Sequence, residues 1–553
     1  MKPTVTRPAW KQAVKQGLLF ALALLILHTA LTFGNWWPTP AIRPTLTLSV
    51  EFLILVGVLA AAAALTARAR EQLIAAASWL YIVLAASRYA EVTLPALFGR
   101  PINLYWDGPH IPGLLALAWQ QMPGWQSLAI AAGIAALAVG VHRALRWSMR
   151  RVVETFATMA RRASRRASAA AFAGAAAGLA ILLVPAVGNL SPGAGPARLW
   201  DFVADPVSGT WLQQGRFIAN ALSVQRTNRL LPPSPAFDGN LAGLGGSDVT
   251  LVFLESYGAA AYDNPDYSRH LQPRRDALAD TLDRSGRHAV SAFVRSPTFG
   301  GGSWLAHASL LSGIDVSDPG NYDLLLTTRR PTLVSHFRRQ GYETVALMPG
   351  IRQEWPEGSF YGYDILLDSR GLGYQGPEFG FWRIPDQFSM ERYNERRRTG
   401  ASRKPQFMVF PTITSHIPFG PVPPYQSDWS RLTTSAPYEP APLARSLGSS
   451  PDWLNLGPAY VQTIAYSFDW ITGHVGQPES LNETLILVGD HQPAASVSGR
   501  GASWDVPVHL ITGNAELARR FVSLGFTPGL SPKRLPLGSM SVLTELLLQG
   551  LSL

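Results

Sequence analysis

No cysteine occurs in this chain, so any part of it that lies in an oxidising compartment does without disulfides and needs a full core or a bound metal instead. Charge is scarce as well. Charged residues make up 15% of the sequence against 47% hydrophobic ones, a balance too apolar and too uneven for one soluble domain. There is no internal repeat and no extended low-complexity tract beyond alanine-rich apolar runs. No recognition motif accompanies the formal net charge of +10, and a nucleic-acid partner is not expected.

What is present divides the chain in two. Residues 17–33, 46–67, 73–87, 127–145 and 169–187 form five apolar runs close to the ~20 residues that cross a hydrocarbon core. The first is read as a span rather than a cleaved signal peptide, because further apolar segments follow it. Lys2, Arg7, Lys11 and Lys15 precede the first run, and Arg68 and Arg70 separate the second from the third. Arg143, Arg146, Arg150, Arg151, Arg161, Arg162, Arg165 and Arg166 crowd the expected loop between the fourth and fifth. Basic loops stay in the cytoplasm and meet anionic headgroups there, which accounts for much of the net charge and puts everything after residue 187 outside. Residues 188–246 are rich in Pro, Gly, Ser and Asn and read as a linker, with an amphipathic piece at 197–222 suited to a membrane surface. From 248 onward, apolar strand-like runs at 249–254, 289–294, 344–348, 406–412, 484–488 and 506–512 alternate with helical patterns near 271–285, from 303, and at 332–340 and 458–475. That alternation predicts an α/β domain with a mainly parallel sheet covered by helices on both faces. The expected organisation is a five-helix transmembrane domain over 1–187, a linker over 188–246 and an extracytoplasmic catalytic domain over 247–553.

The most informative stretch is residues 296–313, where Gly300, Gly301 and Gly302 lead to Ser303 and then to an apolar helical pattern. Glycines let the backbone approach a tetrahedral phosphate, and the first turn of a helix favours an anion. A serine at a helix start is also a common N-cap, and both readings stand. Strand 249–254 would deliver Glu255 at its carboxyl end, and strand 483–489 would deliver Asp490 and His491. Each could be ordinary: a strand-end carboxylate, or a turn dipeptide held by its own side chains. Taken together they point to a shared metal ion with Ser303, for which Mn²⁺, Mg²⁺ and Zn²⁺ all suit the oxygen-rich set with one imidazole.

Glu255-Ser-Tyr-Gly after a strand, Ser303 ahead of Leu310-Leu311-Ser312-Gly313, Ser415-His416-Ile417-Pro418, Gly489-Asp490-His491 and Asp505-Val506-Pro507 together resemble the alkaline phosphatase and sulfatase superfamily. Within it the chain is most similar to membrane-bound lipoteichoic acid synthase-like phosphoglycerol transferases and their phosphoethanolamine transferase relatives, over roughly residues 247–530. The lack of cysteine departs from many phosphoethanolamine transferases and favours the phosphoglycerol branch. Leu305 and His307 stand where a formylglycine sulfatase needs Pro and Arg, which argues against that chemistry.

The resemblance implies a one-metal site of Glu255, Ser303, Asp490 and His491, with Ser303 as nucleophile and His416 protonating the leaving group or holding the substrate phosphate; a second metal set cannot be assembled. It also implies substrate contacts from Trp304, from Arg352 and Trp355 in the 348–355 segment, and from His307. For His307 a satisfied structural hydrogen bond is the equal alternative, and His509, inside an apolar strand, reads as structural. The expected activity is transfer of a phospholipid-derived phosphoglycerol or phosphoethanolamine headgroup, through a phosphoserine-type intermediate, to an envelope glycan or lipid. A membrane-anchored phosphodiesterase or phosphatase and an inactive binding or sensor homologue are the alternatives. The implied location is the cytoplasmic membrane, with the catalytic domain periplasmic or extracellular.

Overall fold

The computed structural model describes residues 9–100, 103–108, 111–112, 119, 124–162, 204, 206–224, 231–380, 383–399 and 404–552. The chain divides into two compact units, residues 1–95 with 101–223, and residues 96–100 with 224–553.

In the first unit, helices Ala9–Thr29, Ala67–Phe98 and Gly124–Arg162 are long and apolar enough to cross a membrane. Two of the five expected spans stand differently. The second run yields only helix Val50–Ala62, whose 13 residues at 1.5 Å each give about 20 Å against a ~30 Å hydrocarbon core. The fifth run, 169–187, lies outside the described residues. The arginine-rich stretch after the fourth run is not a loop as far as Arg162; it continues the same helix, because no Gly or Pro interrupts a sequence of good helix formers there. Glu71 pairs with Arg150 at 2.6 Å and Arg146 at 3.3 Å within this unit. The described residues of this unit also form a short hairpin of β1 (Phe33–Asn35) and β2 (Ile42–Pro44), a single helical turn at Leu104–Asp107 and a helix, Val207–Val224. The last begins inside the expected amphipathic segment, 197–222, and runs two residues past its end.

The second unit is built on an eight-stranded sheet of β3 (Asp248–Leu254), β4 (His288–Arg295), β5 (Glu343–Met348), β6 (Ile365–Asp368), β7 (Gln406–Pro411), β8 (Glu483–Gly489), β9 (Asp505–Thr512) and β10 (Thr527–Pro528). Their order is β10-β4-β9-β8-β3-β7-β5-β6. The five strands β8, β3, β7, β5 and β6 run parallel, while β9, β4 and β10 are antiparallel additions. The alternation of side chains explains why the central strands are apolar throughout. Val252, Leu254, Met408, Phe410, Leu485 and Leu487 enter one core with helices Pro265–Arg284 and Gly457–Val475. Val249, Leu251, Phe253, Val409, Ile486 and Val488 enter the other with helices Ser303–Ser312, Leu333–Arg339 and Met540–Leu551. Residues 231–240 run along this unit, with Arg339 and Gln340 donating to the carbonyls of Phe237 and Gly239.

The amino edge of the sheet holds a buried polar network that serves the fold. His474 Nε2 lies 2.8 Å from Glu483 Oε2, Thr250 donates to the same carboxylate, and Arg287 donates to the Glu483 carbonyl at 2.8 Å. Burial opposes the charge on Glu483, but His474, the Thr250 hydroxyl and Arg397 outweigh it and draw the carboxyl down to about 2. A carboxyl lowered from an unfolded value near ~4.3 contributes stability that is complete above that pH and is lost as the pH falls towards about 2. Glu483→Gln should destabilise the protein at neutral pH, by about 3–5 kcal/mol, since it leaves buried partners uncompensated. Thermal melts between pH 2 and 7 check it: the gap between the two proteins should close on acidification.

Candidate active site

Glu255 follows β3, Asp490 and His491 follow β8, and both strands end at the same edge because they are parallel and paired through Leu254 and Gly489. One ligand atom from each of these three buried side chains lies within 4.8 Å of the others. Ser303 is brought to them by the loop Gly300–Gly302, whose φ angles of 66°, 139° and 80° are left-handed or beyond and favour glycine at all three places.

The N-cap of helix Ser303–Ser312 is Gly302, and no side chain caps it. Ser303 is therefore the first helical residue, and its hydroxyl serves no cap. It points instead into the carboxylate cluster, 3.0 Å from Glu255 Oε2 and 3.2 Å from His491 Nε2. Asp490 does bond its own turn, accepting from the His491 N–H at 2.6 Å, but it also reaches across to the Ser256 N–H at 2.8 Å. Its Oδ2 stands 3.7 Å from His491 Nε2, and Glu255 Oε1 stands 3.5 Å from the same nitrogen.

The donor set fits a divalent cation. A carbonyl can only accept, so the 2.8 Å contact of His491 Nδ1 with the Gln492 carbonyl puts the ring proton on Nδ1 and leaves the Nε2 lone pair facing the carboxylates. Two buried carboxylates so close disfavour each other. Burial and the Glu255 charge push Asp490 well above the ordinary carboxyl range, while Glu255 is lowered. A cation among these oxygens would remove that conflict.

Several residues that the sequence did not single out hold this arrangement. Ser256 adopts φ 58° and donates to Glu255 Oε1 at 2.8 Å. Thr412 Oγ1 accepts from the Glu255 N–H at 3.0 Å, and Ser415 Oγ donates to the Glu255 carbonyl at 2.6 Å. The segment that carries His416 thus also grips the metal-side carboxylate from both ends of its backbone. That segment is fastened in turn by Asp386, fully buried at the start of helix Asp386–Thr399, which accepts from the Ile413 and Thr414 N–H groups at 2.8 and 3.1 Å. Burial raises the Asp386 carboxyl to about 6 despite those two donors. Ser296 Oγ donates to the Asp490 carbonyl at 2.5 Å, and Gln492 spans the Ala260 N–H at 3.2 Å and the Ser503 carbonyl at 2.9 Å. The only available signal was position: hydroxyls and amides next to the strand-end motifs. Asp386 had none beyond an acid after Pro385.

His416 is half-buried, its Nδ1 donating to the Ile417 carbonyl at 2.7 Å, among Thr414, Pro418, Phe379 and Ile384. His307 lies one turn beyond Ser303 with its ring 4.3 Å from that of Phe253. Burial takes it down to about 3, so it is neutral, and its Nε2 has no hydrogen-bond partner among the described residues. Trp304 is exposed, next to Ser303. Arg352 follows β5 at the same sheet edge and is half-buried. Trp355 is engaged in packing, its ring 6.0 Å from Tyr361 and 6.3 Å from Tyr363.

His509 sits in a closed network. Ser291 spends its one proton on the Gly529 carbonyl at 2.5 Å, so it accepts from His509 Nδ1 at 2.7 Å, and His509 Nε2 is left to accept from Tyr257 at 3.1 Å. Burial lowers the imidazole to about 3, in keeping with this neutral form.

No protein-family model and no curated protein sequence matches the chain. Solved structures do. It is similar to the lipoteichoic acid synthase LtaP of Listeria monocytogenes, with 12% identity over 53% of this chain and 71% of that one and a TM-score of 0.33. It is similar to the Streptococcus pyogenes phosphoglycerol transferase GacH, with 14% identity over 61% and 80% and a TM-score of 0.34. It is also similar to the lipooligosaccharide phosphoethanolamine transferase EptA of Neisseria meningitidis, with 16% identity over 91% and 87% and a TM-score of 0.46. A further similar structure, from Vibrio parahaemolyticus, is described as a protein of the alkaline phosphatase superfamily, which the sequence motifs resemble. At such identities the likeness concerns the fold alone.

Proposed function

We propose that this protein is a membrane-anchored, metal-dependent phosphotransferase that moves a phospholipid-derived phospho-headgroup, through Ser303, to an envelope glycan or lipid hydroxyl. The catalytic residues lie within 247–553, and this reading takes them to be extracytoplasmic, the side that transfer to an envelope acceptor requires. The observation that carries the reading is the Ser303 hydroxyl, released from any capping duty and held within 3.2 Å of both Glu255 and His491.

Glu255, Asp490, His491 and the Ser303 oxygen would hold one divalent cation, Mn²⁺, Mg²⁺ or Zn²⁺, which lowers the effective pKa of the serine and offsets charge on the phosphoryl oxygens. Ser303 Oγ, ionised to the alkoxide with its proton lost to solvent, attacks the phosphorus; the bond of phosphorus to the lipid oxygen breaks, and protonated His416 supplies the proton with which diacylglycerol leaves. The N–H groups opening helix Ser303–Ser312 favour the anionic phosphoryl group. In the second half an acceptor hydroxyl gives its proton to His416 and attacks the phosphorus, and the Ser303 ester breaks to return the serine as the alkoxide. Trp304, Arg352, Trp355 and the unpartnered His307 Nε2 are assigned to substrate contacts.

The test is the full chain reconstituted in vesicles of defined phospholipids, with headgroup transfer and diacylglycerol both measured. Diacylglycerol should appear together with headgroup-modified acceptor. Headgroup released to water whether or not acceptor is present would mean a phosphodiesterase, and no headgroup chemistry at all would mean a binding protein. His416→Ala should keep its metal and lose rate by about 10²–10⁴; a variant that also loses the metal would put His416 in the wrong role.

A further inference from the structure

Among the described residues, the exposed tryptophans of the second unit are Trp304, Trp453 and Trp504, at 41%, 66% and 38% exposure. All of them belong to one edge of the sheet. Trp304 adjoins Ser303. Trp504 precedes β9, which runs antiparallel to β8 and so starts where β8 ends; its carbonyl accepts from the Ser296 N–H at 2.9 Å, and its ring lies 5.6 Å from that of Phe299. Trp453 and Leu454 form the tip of a turn fixed by Asp452, which accepts from the Leu454 N–H at 2.9 Å, and Leu454 is 69% exposed. The helix that follows, Gly457–Val475, begins at the active-site edge, because Tyr460 donates to the Ser256 carbonyl at 3.1 Å. Helix Pro440–Leu447 buries none of its residues and ends in exposed Leu447; its Ser446 donates to the Val422 carbonyl, on the loop that continues from His416.

Tryptophan costs little at a membrane interface, where its ring meets the acyl boundary and its N–H stays wet, and a soluble face has no use for such a row. The charges beside it have the sign that fits anionic headgroups. Arg295, Arg445 and Arg500 are exposed along this edge; of the acids there, Asp505 stands 3.6 Å from Arg295, Asp452 accepts within its own turn, and Glu354 after β5 is exposed. The same chain carries helices able to cross a membrane, so a bilayer is within its reach.

We infer that the carboxyl edge of the sheet docks on a phospholipid bilayer through Trp453, Leu454, Trp504 and Trp304, with Arg295, Arg445 and Arg500 meeting anionic headgroups. The contact deepens the lipid-donor reading, because it sets the mouth of the Ser303 site against the surface from which a headgroup would be taken. Its test does not need turnover, so a failed transferase assay leaves it standing.

Because the chain has no cysteine, Leu454→Cys and Trp504→Cys each offer one thiol for a fluorophore in the full-length protein. Leu481→Cys is the control: Leu481 is 60% exposed at the amino edge, just before β8. In vesicles of phosphatidylglycerol and phosphatidylethanolamine, nitroxide-labelled phospholipid should quench the labels at 454 and 504 at least about fivefold more than the label at 481. Melting temperatures near that of the parent show that each labelled protein is folded. Equal lipid quenching at the three positions would overturn the inference. So would labels at 454 and 504 that are shielded from aqueous iodide but not reached by the lipid quencher, since a protein would then cover the edge.

Discussion

Ser303→Ala is expected to abolish turnover while leaving the fold nearly intact. The helix cap is Gly302, so the substitution removes no capping bond and places a good helix former at the first helical position. The stability change should stay under about 1 kcal/mol, within the range of a surface substitution or a modest cap loss. Loss of an essential covalent step is of another order: each 1.36 kcal/mol of transition-state stabilisation is about tenfold in rate, and several kcal/mol go with the nucleophile. Turnover on lipid vesicles and a thermal melt of the same preparation separate the two effects. Activity above a few per cent in a folded Ser303→Ala protein would remove the serine from the mechanism.

The second large effect is expected at the proposed metal ligands. Glu255 and the Asp490–His491 pair come from two neighbouring strands and meet only at their carboxyl ends, where the two carboxylates disfavour each other unless a cation joins them. Asp490→Asn or His491→Ala should therefore lose bound metal as well as turnover, and chelation of the parent should inactivate it reversibly. Elemental analysis beside activity reads both. Stoichiometric metal surviving the two substitutions together would place the ion elsewhere and end the one-metal reading.

The sheet was legible in the sequence wherever a strand is buried on both faces. Residues 249–254 and 484–488 are continuous apolar runs because alternate side chains enter different cores, and the structure extends each by only a residue or so at its ends. Edge elements were not legible: β6 and β10 are too short and half-exposed to leave a pattern. In the membrane unit, composition alone could not distinguish the apolar run at 46–67, which folds as a helix of 13 residues, from a full span. Nor could it show that the arginines from 143 to 162 ride on a helix. The candidate site was legible where chemistry sits at a strand end, as at Glu255, Asp490 and His491. Its supports were not, because contacts such as Asp386 with Ile413 and Thr414, or Ser415 with the Glu255 carbonyl, join segments distant in sequence through backbone groups that carry no residue signature. That Ser303 is not the helix cap likewise needed the backbone, since Gly302 and Ser303 are both acceptable caps on sequence grounds.

The central claim is that Ser303 carries the phospho-headgroup in transit, and the most direct measurement is the mass of the peptide that contains it. With no acceptor present the second half cannot run, so the full-length protein incubated with phospholipid vesicles alone and quenched in denaturant should yield the Ser303 peptide bearing the headgroup phosphoester. Addition of acceptor to the parent protein should leave that peptide unmodified at the end of turnover. A phosphoester found on another residue, or a Ser303 peptide that stays unmodified without acceptor while diacylglycerol is released, would contradict the account.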